Sequence, residues 1–175
     1  QRIAALSARL GVLLERGSVE APIWSQVDTR RVAIAGFEIG AHTAAVLAGE
    51  ALRGATVPTL PIRVQAIVCL SPFADFSGEG LSTRFAGLRT PALFVTSELD
   101  DDPLGLVTAT SLRTAPYRQS PAGGKHLLVL RNAAHAELGG NPASLEADTG
   151  RTSSSSSSDG RGDGGCRLRC RAAAR

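Results

Sequence analysis

The chain has 175 residues, 43% hydrophobic and 20% charged, which are the proportions of a globular domain with a core and not of a disordered or collagen-like chain. No uninterrupted apolar stretch approaches the length of a membrane-spanning helix. Net charge is +3, and because six of the 19 cations and four of the 16 acids follow Gly140, the body carries +1 and the tail +2, which gives no electrostatic case for a nucleic-acid partner.

Lys125 is the sole lysine, so the other cations are arginine, a bias that reads as genome composition and not as phosphate recognition. The chain has no methionine and opens on Gln1, which reads as a processed product or a piece of a longer protein. Its first residues lack the basic-then-apolar layout of a secretory signal, and the compartment stays unassigned. Cys69 lies in an apolar run and reads as a buried small hydrophobe. Cys166 and Cys170 stand without the further ligands that a zinc site needs, so no metal and no cofactor is expected.

In chain order, Ile3, Leu6, Leu10, Leu13 and Leu14 share one helical face, which predicts an amphipathic helix over residues 2–16, stopped by Gly17. Residues 21–30 form a connector around Trp24. A β-branched run at 31–35 meets Gly36-Phe37-Glu38-Ile39-Gly40, and an alanine-rich helix is expected over 41–52, closing near Gly54. Residues 64–70 are almost continuously apolar, which predicts a strand buried on both faces, ended by Ser71-Pro72. Residues 74–90 read as loop, 92–96 as a third strand closed by Asp100-Asp101-Asp102-Pro103, and 104–112 as a short helix. Residues 116–124 read as loop and 126–130 as a fourth strand. A turn at Asn132 then leads to His135, with a helix start over 134–138.

Four apolar strands separated by helices or long crossovers argue a mostly parallel α/β sheet over residues 1–140. From 141 to 175 the composition shifts to serine, glycine and arginine, with six consecutive serines at 153–158, and a low-complexity disordered tail is expected. Its Arg161-Gly162-Asp163 tripeptide is what such a composition produces by chance.

The strand, tight turn and helix around Gly36-x-Glu38-x-Gly40, the Ser-Pro after a buried strand, the acidic loop at Asp100 and the Ala-Ala-His135 loop together resemble the α/β-hydrolase superfamily, nearest in flavour to its dienelactone-hydrolase-like and platelet-activating-factor-acetylhydrolase-like members. Residues 1–30 supply a helix and a connector in place of that fold's earlier strands and Gly-rich oxyanion loop. The resemblance therefore implies a partial fold of about four strands, whose open edge is suited to self-association. It implies hydrolysis of a small-molecule ester or lactone by a triad, with Glu38 at the nucleophile position, His135 as general base, Asp100 orienting it, and the Ile39 N–H giving half of an oxyanion hole. Asp101, Asp102 and Asp75 are rival acids, with Asp100 preferred on chain order.

Glu38 is the unusual member. A carboxylate at this position opens epoxides or displaces halide through an ester intermediate, but on a carboxylic ester it gives an anhydride, which is uphill. The rival reading is a catalytically inactive scaffold or binding domain in which Glu38 sits near a helix N-terminus for charge reasons. His42, four residues on, reads as a helix-surface partner of Glu38, His126 as structural, and Ser71 not as a nucleophile because it lacks flanking glycines.

Overall fold

The computed structural model describes residues 2–16, 26–52, 54, 57, 59–74, 80–101, 110–141 and 170–174. Its elements run α1 (Arg2–Arg16), β1 (Val32–Phe37), α2 (Ile39–Leu47), β2 (Val64–Leu70), α3 (Leu81–Phe85), β3 (Ala92–Leu99), a 3-10 turn (Thr110–Thr114), α4 (Ala115–Gln119), β4 (Lys125–Ala134), α5 (His135–Leu138) and β5 (Cys170–Ala174). The strands form one sheet in the order β1-β2-β3-β4-β5. The first four are parallel and the fifth is antiparallel to β4, so the molecule is an α/β protein with a mostly parallel sheet. Sequential strands lie side by side because each crossover between parallel strands is filled by helix or long loop. Among the described residues no helix is long and apolar enough to cross a membrane.

One face of the sheet carries the larger core. Ile34, Ile67, Cys69, Ala92 and Phe94 meet Ala41, Ala44, Ala45 and Ala48 of α2 and its end, Phe85 of α3, and Ala115 and Tyr117 of α4. Alanines on α2 let the helix lie close against β1 and β2, and Leu6 and Leu10 of α1 pack against the same cluster. The opposite face is smaller: Val95, Ala133 and Leu138 are buried there, with Phe37, Leu70, Leu93, Leu128 and Leu130 half-covered.

Several expectations shift. β2 is buried on one face through Ile67 and Cys69, with Gln65 exposed near the start of that face, whereas Ala66, Val68 and Leu70 on the other face are half-buried, because α5 is the described helix that reaches the second cluster. α2 ends at Leu47 and not at 52, since Gly49 turns the chain with φ 121°. α3 and α4 are five-residue helices inside stretches that read as loop. β3 and β4 run further than their apolar cores, to Leu99 and Ala134. Residues 21–25 of the connector, Trp24 among them, most of the 104–112 helix, Asp75, Cys166 and the rest of residues 142–169 lie outside the described residues. At the end of the expected disordered tail, Cys170–Ala174 pair with β4 from Leu130 to His126. A sheet edge offers unpaired backbone groups to any extended segment, whatever its side chains. Among the described residues β1 pairs only with β2 and forms the other edge.

Candidate active site

The C-terminal ends of the parallel strands bring four residues together. β1 ends at Phe37, and Glu38 takes φ 50° and ψ −110° before α2 begins at Ile39. A side chain at positive φ is held by its surroundings at a cost of about 1–3 kcal/mol. Here Glu38 N–H donates to Leu70 O at 2.9 Å, continuing the β1–β2 ladder, and Glu38 O accepts from His42 N at 3.0 Å, starting the helix. One residue thus ends a strand and opens a helix. Gly36 makes that turn possible, because a Cβ there would run into the backbone of Gly40 and Ala41. Gly40 is different: a Cβ on it would meet nothing within 4 Å, so only the first glycine of the pair is sterically required.

β3 delivers Asp100, which is 1% exposed. Its Oδ1 lies 2.7 Å from His135 Nδ1 and accepts the Ser71 hydroxyl at 2.7 Å, while Oδ2 accepts the Thr96 hydroxyl at 2.6 Å. Arg113 Nε stands 3.5 Å from Oδ1. An ionised carboxylate offers only acceptors, so the contact assigns a proton to Nδ1 of His135 and leaves Nε2 of the neutral ring as an acceptor. A buried charge needs such a set of donors, and Asp100 has them.

β4 delivers His135. Ser97 pairs with Leu130 and Leu99 with Ala134, so β4 holds two more residues than β3 over this stretch, and Asn132 within the bulge takes φ 59°. The expected turn at Asn132 is therefore a bulge inside a continuous strand. Glu137 Oε2 accepts the Ala134 N–H at 2.7 Å and fixes the start of α5, whose first residue is His135. Phe37 packs on the imidazole at 4.9 Å between centroids. Gly139 admits that ring, since a Cβ there would sit 2.8 Å from Phe37 Cε1.

His135 Nε2 faces Glu38 Oε1 at 3.6 Å. That is beyond a direct hydrogen bond, and Oε1 is buried with no hydrogen bond inside the protein. Two acceptors thus face one another, an arrangement satisfied by a proton on Nε2 or by a water bonded to both groups. Asp100 and Ser71 are fully buried, while the side chains of His135 and Glu38 keep 9% and 15% of their surface, so these two form the outer part of the cluster. Ile39 opens α2, and its N–H belongs to the first-turn donors that a helix leaves without an internal acceptor.

Glu38, Asp100 and His135, separated by up to 97 positions in the chain, therefore converge at one end of the sheet. Asp101 is exposed and contributes its carbonyl to Arg113 at 2.6 Å. Asp75 and Asp102 lie outside the described residues. His126 is an exposed residue of β4. His42, expected as a surface partner of Glu38, is largely buried, with Nε2 3.5 Å from Glu50 Oε1 and its ring stacked on Phe73 at 5.4 Å. Sequence reasoning missed Thr96 and Arg113 and set Ser71 aside. The available signal was polarity at the C-terminal ends of apolar strands, in Leu70-Ser71 and Val95-Thr96. Among the described residues no three His, Cys, Asp or Glu side chains gather as a metal site. No protein-family model matches the chain, and no curated protein sequence matches it.

Proposed function

We propose that the chain is a hydrolase of the α/β-hydrolase type, acting on an ester or lactone bond of a small molecule. Glu38 occupies the nucleophile position, His135 acts as the base and Asp100 as its orienting acid. One observation carries this reading: Glu38, held at φ 50° on a strand-to-helix turn, aims Oε1 at Nε2 of a histidine whose Nδ1 is bonded to a buried carboxylate. Strain of this kind is kept where the surroundings require one side-chain position.

Direct attack of Glu38 on an ester would give an anhydride, so the route that fits the chemistry is attack by water. Nε2 of His135 takes the water proton, and Asp100 stabilises the resulting imidazolium from behind. The Glu38 carboxylate holds the water and adds its charge on the other side of the ring. The Ile39 N–H faces the developing oxyanion. The dienelactone-hydrolase-like resemblance adds the substrate class.

The test is chromogenic ester hydrolysis by wild type, Glu38→Ser, His135→Ala and the double variant. Wild type is expected to turn over at least about a hundredfold above His135→Ala, and Glu38→Ser to show an initial burst and the same dependence on His135; turnover by Glu38→Ser with an inactive wild type would instead mean a prepared site that has lost its nucleophile. If every variant is folded by circular dichroism and none exceeds the buffer rate, the hydrolase reading falls. The sheet is then a scaffold without hydrolytic chemistry.

A further inference from the structure

We propose that Ser71 is a positioning residue of this site: its hydroxyl locks the Asp100–His135 pair in the tautomer that leaves Nε2 free to accept a proton. The activity arm of this inference rests on the hydrolase reading above; the spectroscopic arm does not.

Ser71 is fully buried, so it cannot touch a substrate. It lies at the end of β2, beside Glu38 at the end of β1, and like Glu38 it takes a positive φ, here 49°. Serine adopts that conformation at a cost of about 1–3 kcal/mol. The following residue is Pro72, whose ring further restricts the backbone before it. Each polar group of Ser71 is nonetheless engaged. Its N–H donates to Val95 O at 2.8 Å, its carbonyl accepts from Arg113 Nη1 at 3.1 Å, and its hydroxyl donates to Asp100 Oδ1 at 2.7 Å.

The hydroxyl oxygen also lies 3.0 Å from His135 Nδ1. The single hydroxyl proton goes to Oδ1, because the carboxylate has none to give. The Ser71 lone pair therefore faces Nδ1, and an Nδ1–H meets two acceptors, Oδ1 and Oγ, in one small triangle. In the other tautomer the Nδ1 lone pair would face the carboxylate directly. With Thr96 fixing Oδ2, the carboxylate cannot rotate away from this choice.

Arg113 completes the arrangement. It is 1% exposed, and its second terminal nitrogen donates to Asp101 O at 2.6 Å. One guanidinium thus ties the loop after β2 to the loop after β3, and holds Ser71 in the strained conformation that points its hydroxyl inward.

The test uses the full chain with 15N-labelled histidine. His135 is assigned among the three histidines by loss of its signals in His135→Ala. Wild type is expected to show a slowly exchanging Nδ1–H at low field. Ser71→Ala and Ser71→Gly leave Asp100 as the sole acceptor of that proton, so both should exchange it faster and move it upfield, with nitrogen shifts moving toward a tautomer mixture. Glycine removes the backbone strain while alanine keeps it, so the pair separates the hydroxyl from the turn. In the Glu38→Ser background, both should lower kcat by about ten- to a hundredfold with KM unchanged.

If both variants match wild type in the exchange rate and shift of the Nδ1–H, or if Ser71→Gly matches it while Ser71→Ala does not, the inference is overturned in favour of a purely backbone role. If Ser71→Ala fails to fold, Ser71→Gly alone decides by the same signal. Absence of turnover in every Glu38 variant would sink the hydrolase reading and leave the tautomer result to judge Ser71.

Discussion

His42 and His135 each lie beside a buried carboxylate, and the company that the carboxylate keeps separates them. Glu50, next to His42, accepts a hydrogen bond from Arg84 Nε and forms an ion pair with its guanidinium, and Arg84 in turn lies over Phe85. Asp100, next to His135, is bonded by two neutral hydroxyls and by the imidazole itself. Arg113 is near, but its terminal nitrogens go to carbonyls of Ser71 and Asp101. A carboxylate already matched by a guanidinium has little left for a histidine. One held by hydroxyls keeps its charge directed at the ring. The backbone tells the same difference. Glu38 and Ser71 beside His135 are both at positive φ, whereas His42 sits within the regular α2 helix. The first cluster ties the end of α2 to α3; the second, under the proposed function, presents a base.

The comparison is broken most directly by alanine at each histidine. In the Glu38→Ser background, His135→Ala is expected to cost about 10²–10⁴ in ester turnover, and His42→Ala to leave it within the scatter of the assay. Equal losses at both positions would erase the distinction. Stability should show the reverse ranking. Glu50→Ala removes the carboxylate that pairs with the buried Arg84, and denaturant unfolding should report a loss of about 3–5 kcal/mol.

The turn carrying Glu38 sharpens the contrast further. Gly36→Ala must displace the start of α2, at a cost of about 1–3 kcal/mol in urea unfolding and a larger proportional loss in turnover. Gly40→Ala adds a methyl to an exposed helical position with open space around it, and should raise stability by up to about 1 kcal/mol.

The smallest effect concerns Cys69, which faces the Glu50 side of the core. Burial first, and the Glu50 charge second, push its thiol up from 9.0 to about 12. The unfolded thiol releases its proton above pH 9 while the folded one retains it. Stability from this group is therefore full below pH 9 and declines as pH rises toward 12. Thermal unfolding between pH 8.5 and 10.5 should fall less steeply for Cys69→Ala than for wild type. Parallel slopes would remove Cys69 from the account.

Much of this arrangement was legible in the chain because it is local. Apolar runs mark β1 to β4, the period of Ile3, Leu6 and Leu10 marks α1, and Gly36 marks the turn at Glu38. The order of Glu38, Asp100 and His135 at successive strand ends needed only the strand assignments and the family resemblance. What stayed hidden depends on distant partners. Arg84 and Arg113 look like surface cations until Glu50 and the carbonyls of Ser71 and Asp101 are brought to them. Ser71 lacks the glycine flanks of a nucleophile, and its use as a hydroxyl donor depends on Asp100 and His135, 29 and 64 positions away. α3 and α4 are too short to show a period, and β5 pairs through backbone, which leaves no signature in its side chains.

The bonds that assemble the site each join residues far apart in the chain: 29 positions for Ser71 to Asp100, 35 for Asp100 to His135, 42 for Ser71 to Arg113 and 64 for Ser71 to His135. None can survive in a fragment that has only begun to fold, because each closes a loop whose entropy is recovered only when its neighbours also form. The site consequently exists only where β2, β3 and β4 have come together. Its imidazole proton thereby serves as a probe of whether the whole sheet, and not merely its helices, has come together.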